Sequence, residues 1–222
     1  GMYVKGVGTT AINEEGGIIR NGTVSTTYTY DIGGMQAVSG ATAINKGRIE
    51  TIGVYGMTAS YAGSNAINAS TGVIANTELY SEAGGKATNY GEIRNDQDGM
   101  YVTGTGSTAI NESTGIIKNT GYYGMHALNG GQASNKGIIQ NTFSNGMYVQ
   151  GKNSVIINEK SGIIQNNGSS GMSIMDNGTA YNYGIIRNTG DSGMDIFGGT
   201  GYNYGTIENK GNYGMSITGS ST

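Results

Sequence analysis

Three aspartates, Asp176, Asp191 and Asp195, are the residues whose type and proximity in the chain could support a reaction. Glycoside cleavage needs two carboxyl groups about 5–10 Å apart, one as acid and one as base or nucleophile. Asp176 and Asp195 hold different places in the repeat described below, so stacking of repeats does not make them neighbours. His126 is the single histidine. A serine triad would need it as the base, yet it stands at an outward, variable position and reads as a solvated side chain. No Gly-x-Ser-x-Gly elbow accompanies it. "NDQD", Asn95 to Asp98, offers oxygen ligands of the kind Ca²⁺ takes, with a solvated turn as the simpler reading. The nonapeptides of calcium β-rolls are missing. The Gly-x-Gly of "VTGTGST" lacks the lysine and the following helix of a phosphate loop. Glycosylation sequons at Asn21, Asn68, Asn111, Asn167 and Asn177 read as structural amides and turns. The residues therefore predict a protein that is not an enzyme and needs no metal or cofactor.

Binding chemistry has better candidates. Tyr181 and Tyr202 each precede an asparagine of one repeat column, and Tyr183 and Tyr204 each follow it. Both pairs are expected to face outward on adjacent repeats. A tyrosine offers an apolar face and a hydroxyl, which suits contact with a sugar or a protein. Self-stacking that shields the turn is the competing reading. The insertion "TVSTTYTYDIG", residues 23–33, is the other candidate, since solenoid insertions map to loops that often bind.

The elements that position these side chains come from composition and repetition. The 222 residues include 42 glycines and no proline, cysteine or tryptophan, with a net charge of -3. Regular Ile, Val and Met spacing with so little charge argues for a folded chain rather than a disordered one. The mild negative charge gives no electrostatic reason to expect nucleic acid or anionic membrane as a partner. No apolar run reaches transmembrane length, so direct membrane insertion of this segment is not expected. The segment begins and ends within repeats, the last being the incomplete 214–222, and is expected to belong to a longer chain.

Gly-Met recurs at Gly1, Gly34, Gly56, Gly99, Gly124, Gly146, Gly171, Gly193 and Gly214, with Glu78-Leu79 as a disguised copy. Beyond the first interval, which holds the insertion, copies lie 21 to 25 residues apart. Each has three parts: Gly-Met-x-(Val/Ala/Ile), Ala-x-Asn and Gly-x-Ile-x-Asn. All three alternate with period two, the strand period, and nothing has a helical period. Three short strands per coil, separated by Gly/Asn/Ser turns, predict an all-β parallel β-helix of about nine coils, stacked about 4.8 Å apart. Met, the following Val/Ala/Ile, the Ala column (Ala109 and its copies) and the Ile column (Ile117 and its copies) should point inward. Tyr101, Ile110 and Lys118 should point outward.

Two asparagine columns share the inward parity. One is Asn13, Asn45, Asn68, Asn89, Asn111, Asn135, Asn158, Asn182 and Asn203. The other is Asn21, Asn76, Asn95, Asn119, Asn141, Asn166, Asn188 and Asn209, with Thr51 as substitute. Asparagine favours turns, and stacked copies can bond along the axis as in cross-β amide ladders. Two continuous ladders at the coil corners are expected.

The motif "GMYVTGTGSTAINE…GIIKN" resembles the passenger region of type V autotransporter adhesins of Gram-negative bacteria, across essentially the whole chain. The resemblance implies a right-handed β-helix stalk displayed extracellularly on the cell surface, held by an outer-membrane barrel outside this chain. It implies contact with a host or bacterial surface protein or glycan. A filament or sheath subunit, with solenoids associating end to end, is the alternative, and a polysaccharide-cleaving β-helix comes third.

Overall fold

A computed structural model describes residues 1–21, 33–51 and 55–219. Three parallel sheets of ten, nine and nine strands run the length of the molecule. The chain visits them in rotation, as in Met100–Thr103, Thr108–Asn111 and Ile116–Asn119, so that each strand pairs with its counterparts one coil away. The result is an all-β parallel solenoid of about eight turns with three strands per coil. The insertion's residues 23–32 lie outside the described residues.

Register follows the repeat letter by letter. Ala87 pairs with Ala109 and Ala109 with Ala133, while Ile93 pairs with Ile117 and Ile117 with Ile139. Leu79 pairs with Met57 on one side and Met100 on the other, so Glu78-Leu79 does stand in for Gly-Met. Period-two strands place one parity inside, and there Met100, Val102, Ala109 and Ile117 are buried in one continuous core. Two coils depart from the alanine column and compensate. Ile156 takes the alanine place and is fully buried, and at Gly201 the side chain of Ile196 occupies the space of the missing methyl group.

The glycine of Gly-Met has a steric cause. A Cβ on Gly99 would lie 2.3 Å from Ile117 Cγ2 and 2.5 Å from the Gly124 carbonyl oxygen. The corner after the third sheet thus packs backbone against the isoleucine column, at a distance no side chain permits. The loop after the second sheet has two lengths and keeps one register. In the longer version the extra residues form a turn closed by the Gly115 N–H donating to the Glu112 carbonyl at 2.8 Å.

The first asparagine column is an unbroken ladder. Asn13 Nδ2 donates to Asn45 Oδ1 at 2.8 Å, and the same bond repeats through Asn68, Asn89, Asn111, Asn135, Asn158, Asn182 and Asn203 at 2.8–2.9 Å. Each interior rung is buried, so the ladder satisfies groups that would otherwise lose about 1–3 kcal/mol apiece.

The second column is not continuous. Asn166 donates to Asn188 and Asn188 to Asn209, both at 2.9 Å. Asn119 and Asn141 instead fold onto their own corners, donating to the Tyr123 and Asn145 carbonyls at 2.6 Å, with Oδ1 accepting from the N–H of Gly121 and Thr142. Glycine two residues after the asparagine occurs at corners of both kinds, Gly121 after Asn119 and Gly168 and Gly190 after Asn166 and Asn188, each in close backbone contact with the coil before. Asn21 donates to the Gly33 carbonyl, and Asn95 to those of Thr77 and Asp98. Asn76 is displaced from the column altogether. It is exposed with a φ of 70°, and Thr77 takes its place, accepting from Thr51 Oγ1 at 3.1 Å.

Candidate functional site

With the interior uniform, what differs between coils lies outside. On the second sheet Tyr181 and Tyr202 stack at 5.0 Å, and Tyr183 and Tyr204 at 5.1 Å, with interplanar angles of 8° and 10°. Across the asparagine column the rings lie 6.2 Å apart and nearly parallel. The four predicted tyrosines are therefore brought together as a grid. Stacking from coil to coil engages ring faces within the grid. What it offers outward is edges and hydroxyls, suited to hydrogen bonding. Tyr204 is the most exposed at 64%.

A larger aromatic cluster occupies the outer face of the first sheet. Tyr55 stacks on Tyr80 at 4.4 Å, Tyr80 meets Tyr101 at 5.1 Å, and Tyr101 meets His126 at 4.8 Å. Tyr123 stacks on Tyr148 at 4.4 Å, and both meet the His126 ring in T-shaped contacts. His126 is thus not the solvated side chain its outward parity predicts. Its Nδ1 lies 2.7 Å from Asp98 Oδ2, and the two side chains are 14% and 13% exposed. Asp98 Oδ1 accepts from the Tyr123 N–H at 3.1 Å. His126 Nε2 is buried and has no partner. Parity assigns a face of the sheet; neighbouring rings on that face decide exposure.

Carboxylates border these rings. Glu78 is 6% exposed, and burial first, then the charge of Asp98, holds its carboxyl well above the usual range. Burial likewise raises the Tyr101 and Tyr123 hydroxyls and brings that of Tyr148 to about 12. These phenols stay protonated at neutral pH, and that of Tyr148 donates to Gln150 Oε1 at 3.0 Å.

The predicted aspartates are engaged separately. Asp176 accepts from Gln150 Nε2 at 2.6 Å, Asp191 contacts Asn212 Nδ2 at 3.4 Å, and Asp195 sits on the first sheet. Of the "NDQD" stretch, Asp98 is committed to His126 and Tyr123. Among the described residues no group of three or more His, Asp or Glu side chains is placed to hold a metal ion. No helix among them is long and apolar enough to cross a membrane.

The first-sheet aromatics do not stand out in the sequence because the outward column after Gly-Met mixes them with Gln36, Thr58 and Ser173. The signal existed: aligning Leu79 with the methionines puts Tyr80, Tyr101, His126 and Tyr148 in one outward column. No family model matches the chain, and no curated protein matches it.

Proposed function

We propose that this solenoid is a non-catalytic structural stalk whose outer face also serves as an adhesin surface, within the passenger of a cell-surface autotransporter. On this reading it is a right-handed β-helix of about nine coils, carried outside the cell by a barrel encoded elsewhere in the gene. Its partner is a protein or glycan on a host or bacterial surface.

The observation that carries the reading is the division between inside and outside. The interior repeats the same four apolar columns and an amide ladder from Asn13 to Asn203, which is what an extended rod requires. The outside is free of that constraint and gathers aromatic rings in two places.

The full-length reading frame tests it. An export signal before this segment and a membrane barrel after it are expected, with antibody to the segment labelling intact cells. A reading frame with neither overturns the autotransporter assignment. Electron microscopy separates the stalk from a filament subunit: single rods are expected at every concentration, and end-to-end polymers would replace this reading by the filament.

A further inference from the structure

The first sheet's outer face holds an open groove of about 320 Å³, bordered by Tyr3, Tyr55, Tyr61 and Tyr80 with Gln36 and Glu82. Its residues come from four strands adjacent in the sheet, Met2–Lys5, Gly33–Val38, Tyr55–Ser60 and Glu78–Glu82, and from the corner at Tyr61. The groove therefore crosses successive coils at the interstrand spacing of about 4.8 Å.

Two rings there, Tyr3 and Tyr61, are 61% and 58% exposed. Glu82 is fixed in place: Tyr80 Oη donates to its Oε2 at 2.9 Å and Ser60 Oγ to its Oε1 at 3.0 Å. Each carboxylate oxygen keeps capacity to accept another donor.

Tyr61 supplies an independent observation. Its φ is 71°, in the left-handed region where a bulky side chain is a steric outlier. The same corner is left-handed in other coils, where Gly6, Gly104, Gly151 and Gly198 fill it without that strain and the smaller Ser39, Ala83, Asn129 and Asp176 share it; among the described residues Tyr61 is the aromatic one there. The fold imposes the conformation; it does not ask for a tyrosine. Backbone strain of this kind gathers at ligand clamps, and this ring stands at the edge of the groove.

The lining selects a chemistry. Exposed aromatic rings suit the C–H faces of a pyranose, and the carboxylate and amide suit its hydroxyls. Among the described residues Lys5 is the only cation at the groove, and Glu82 opposes an anionic polymer. We propose that this groove binds a neutral oligosaccharide, with Tyr3 and Tyr61 stacking on sugar faces and Glu82 accepting from sugar hydroxyls. The proposal rests on the reading of the outer face as an adhesin surface.

The test titrates the purified 222-residue protein with cello-, malto- and chito-hexasaccharides, and with heparin as the anionic control, alongside binding of the protein to cells. Saturable binding of a neutral saccharide and none of heparin is expected. Tyr61→Gly should weaken binding roughly tenfold, equivalent to about 1.4 kcal/mol, and leave the melting temperature unchanged or higher because it relieves the backbone. Tyr61→Phe should retain binding, and Tyr3→Ala should weaken it. Binding that survives Tyr61→Gly and Tyr3→Ala overturns the groove, as does a preference for heparin. Cell binding without neutral-saccharide binding, undiminished in Tyr61→Gly, overturns the groove and leaves the adhesin reading standing. Binding to neither cells nor saccharides overturns both.

Discussion

Replacing Asn111 by leucine measures what the amide ladder contributes. Asn111 accepts from Asn89 at 2.8 Å and donates to Asn135 at 2.8 Å and to the Gly115 carbonyl at 3.2 Å. Asn111→Leu removes two ladder bonds, each with a net contribution of about 0.5–1.5 kcal/mol. It also strands the fully buried Oδ1 of Asn135, at a cost of about 1–3 kcal/mol. The expected loss is about 2–6 kcal/mol, although the change adds apolar surface to the core. Urea unfolding followed by far-ultraviolet circular dichroism reads it as a lower midpoint at unchanged slope. The discriminating variant is the double, Asn111→Leu with Asn135→Leu. The shared bond can be lost only once, so the pair should couple by about 1–3 kcal/mol. Asn119 and Asn141 provide the comparison, because each bonds its own corner rather than the other. The ladder pair should couple more strongly than this pair by roughly 1 kcal/mol. Equal coupling in the two pairs, or a melting temperature that rises in Asn111→Leu, would refute the argument.

Four further substitutions test other parts of the structure. Ile117→Ala, at a fully buried position, should lose about 2–5 kcal/mol. Lys118→Ala should lose under about 1 kcal/mol, since Lys118 is 48% exposed, while its ion-pair partner Glu92 is 18% exposed; equal urea midpoints would show the inward and outward parities to be wrong. Gly99→Ala should destabilise by roughly 1–3 kcal/mol through overpacking, because the new methyl group meets Ile117 and the Gly124 carbonyl; a raised melting temperature would remove the steric account of Gly-Met. Glu78→Gln should raise the melting temperature at pH 7. The Glu78 carboxyl is held well above the usual carboxylate range by burial and by Asp98. Its protonated form therefore stabilises the fold below the unfolded value, and that stability is lost as pH rises through the folded one. Parent and variant melting temperatures should converge at pH 4, and a gap that persists there would show that charge is not the cause.

The sequence by itself determined the coil. Period-two alternation assigned Met100, Ala109 and Ile117 to the interior and Lys118 to the surface, and the solenoid places them so. These are local properties: a strand's parity is written in its own four residues, and repetition fixes the pairing partner. It also located the first amide column and the tyrosine grid, since each needs only register between identical positions.

What lay beyond it depended on corner shape and on neighbours several coils away. Asn76 and Thr77 exchange roles because a left-handed corner shifts the chain by one residue. Asn119 and Asn166 have the same parity and both donate to the carbonyl four residues on, yet only Asn166 also bonds the asparagine of the next coil. His126 read as solitary because Asp98 is 28 residues earlier, and only stacking of coils brings it and three tyrosine rings around the imidazole. A period-two pattern says which way a side chain points. Whether that direction leads to water or into a cluster is decided by the strands stacked beside it.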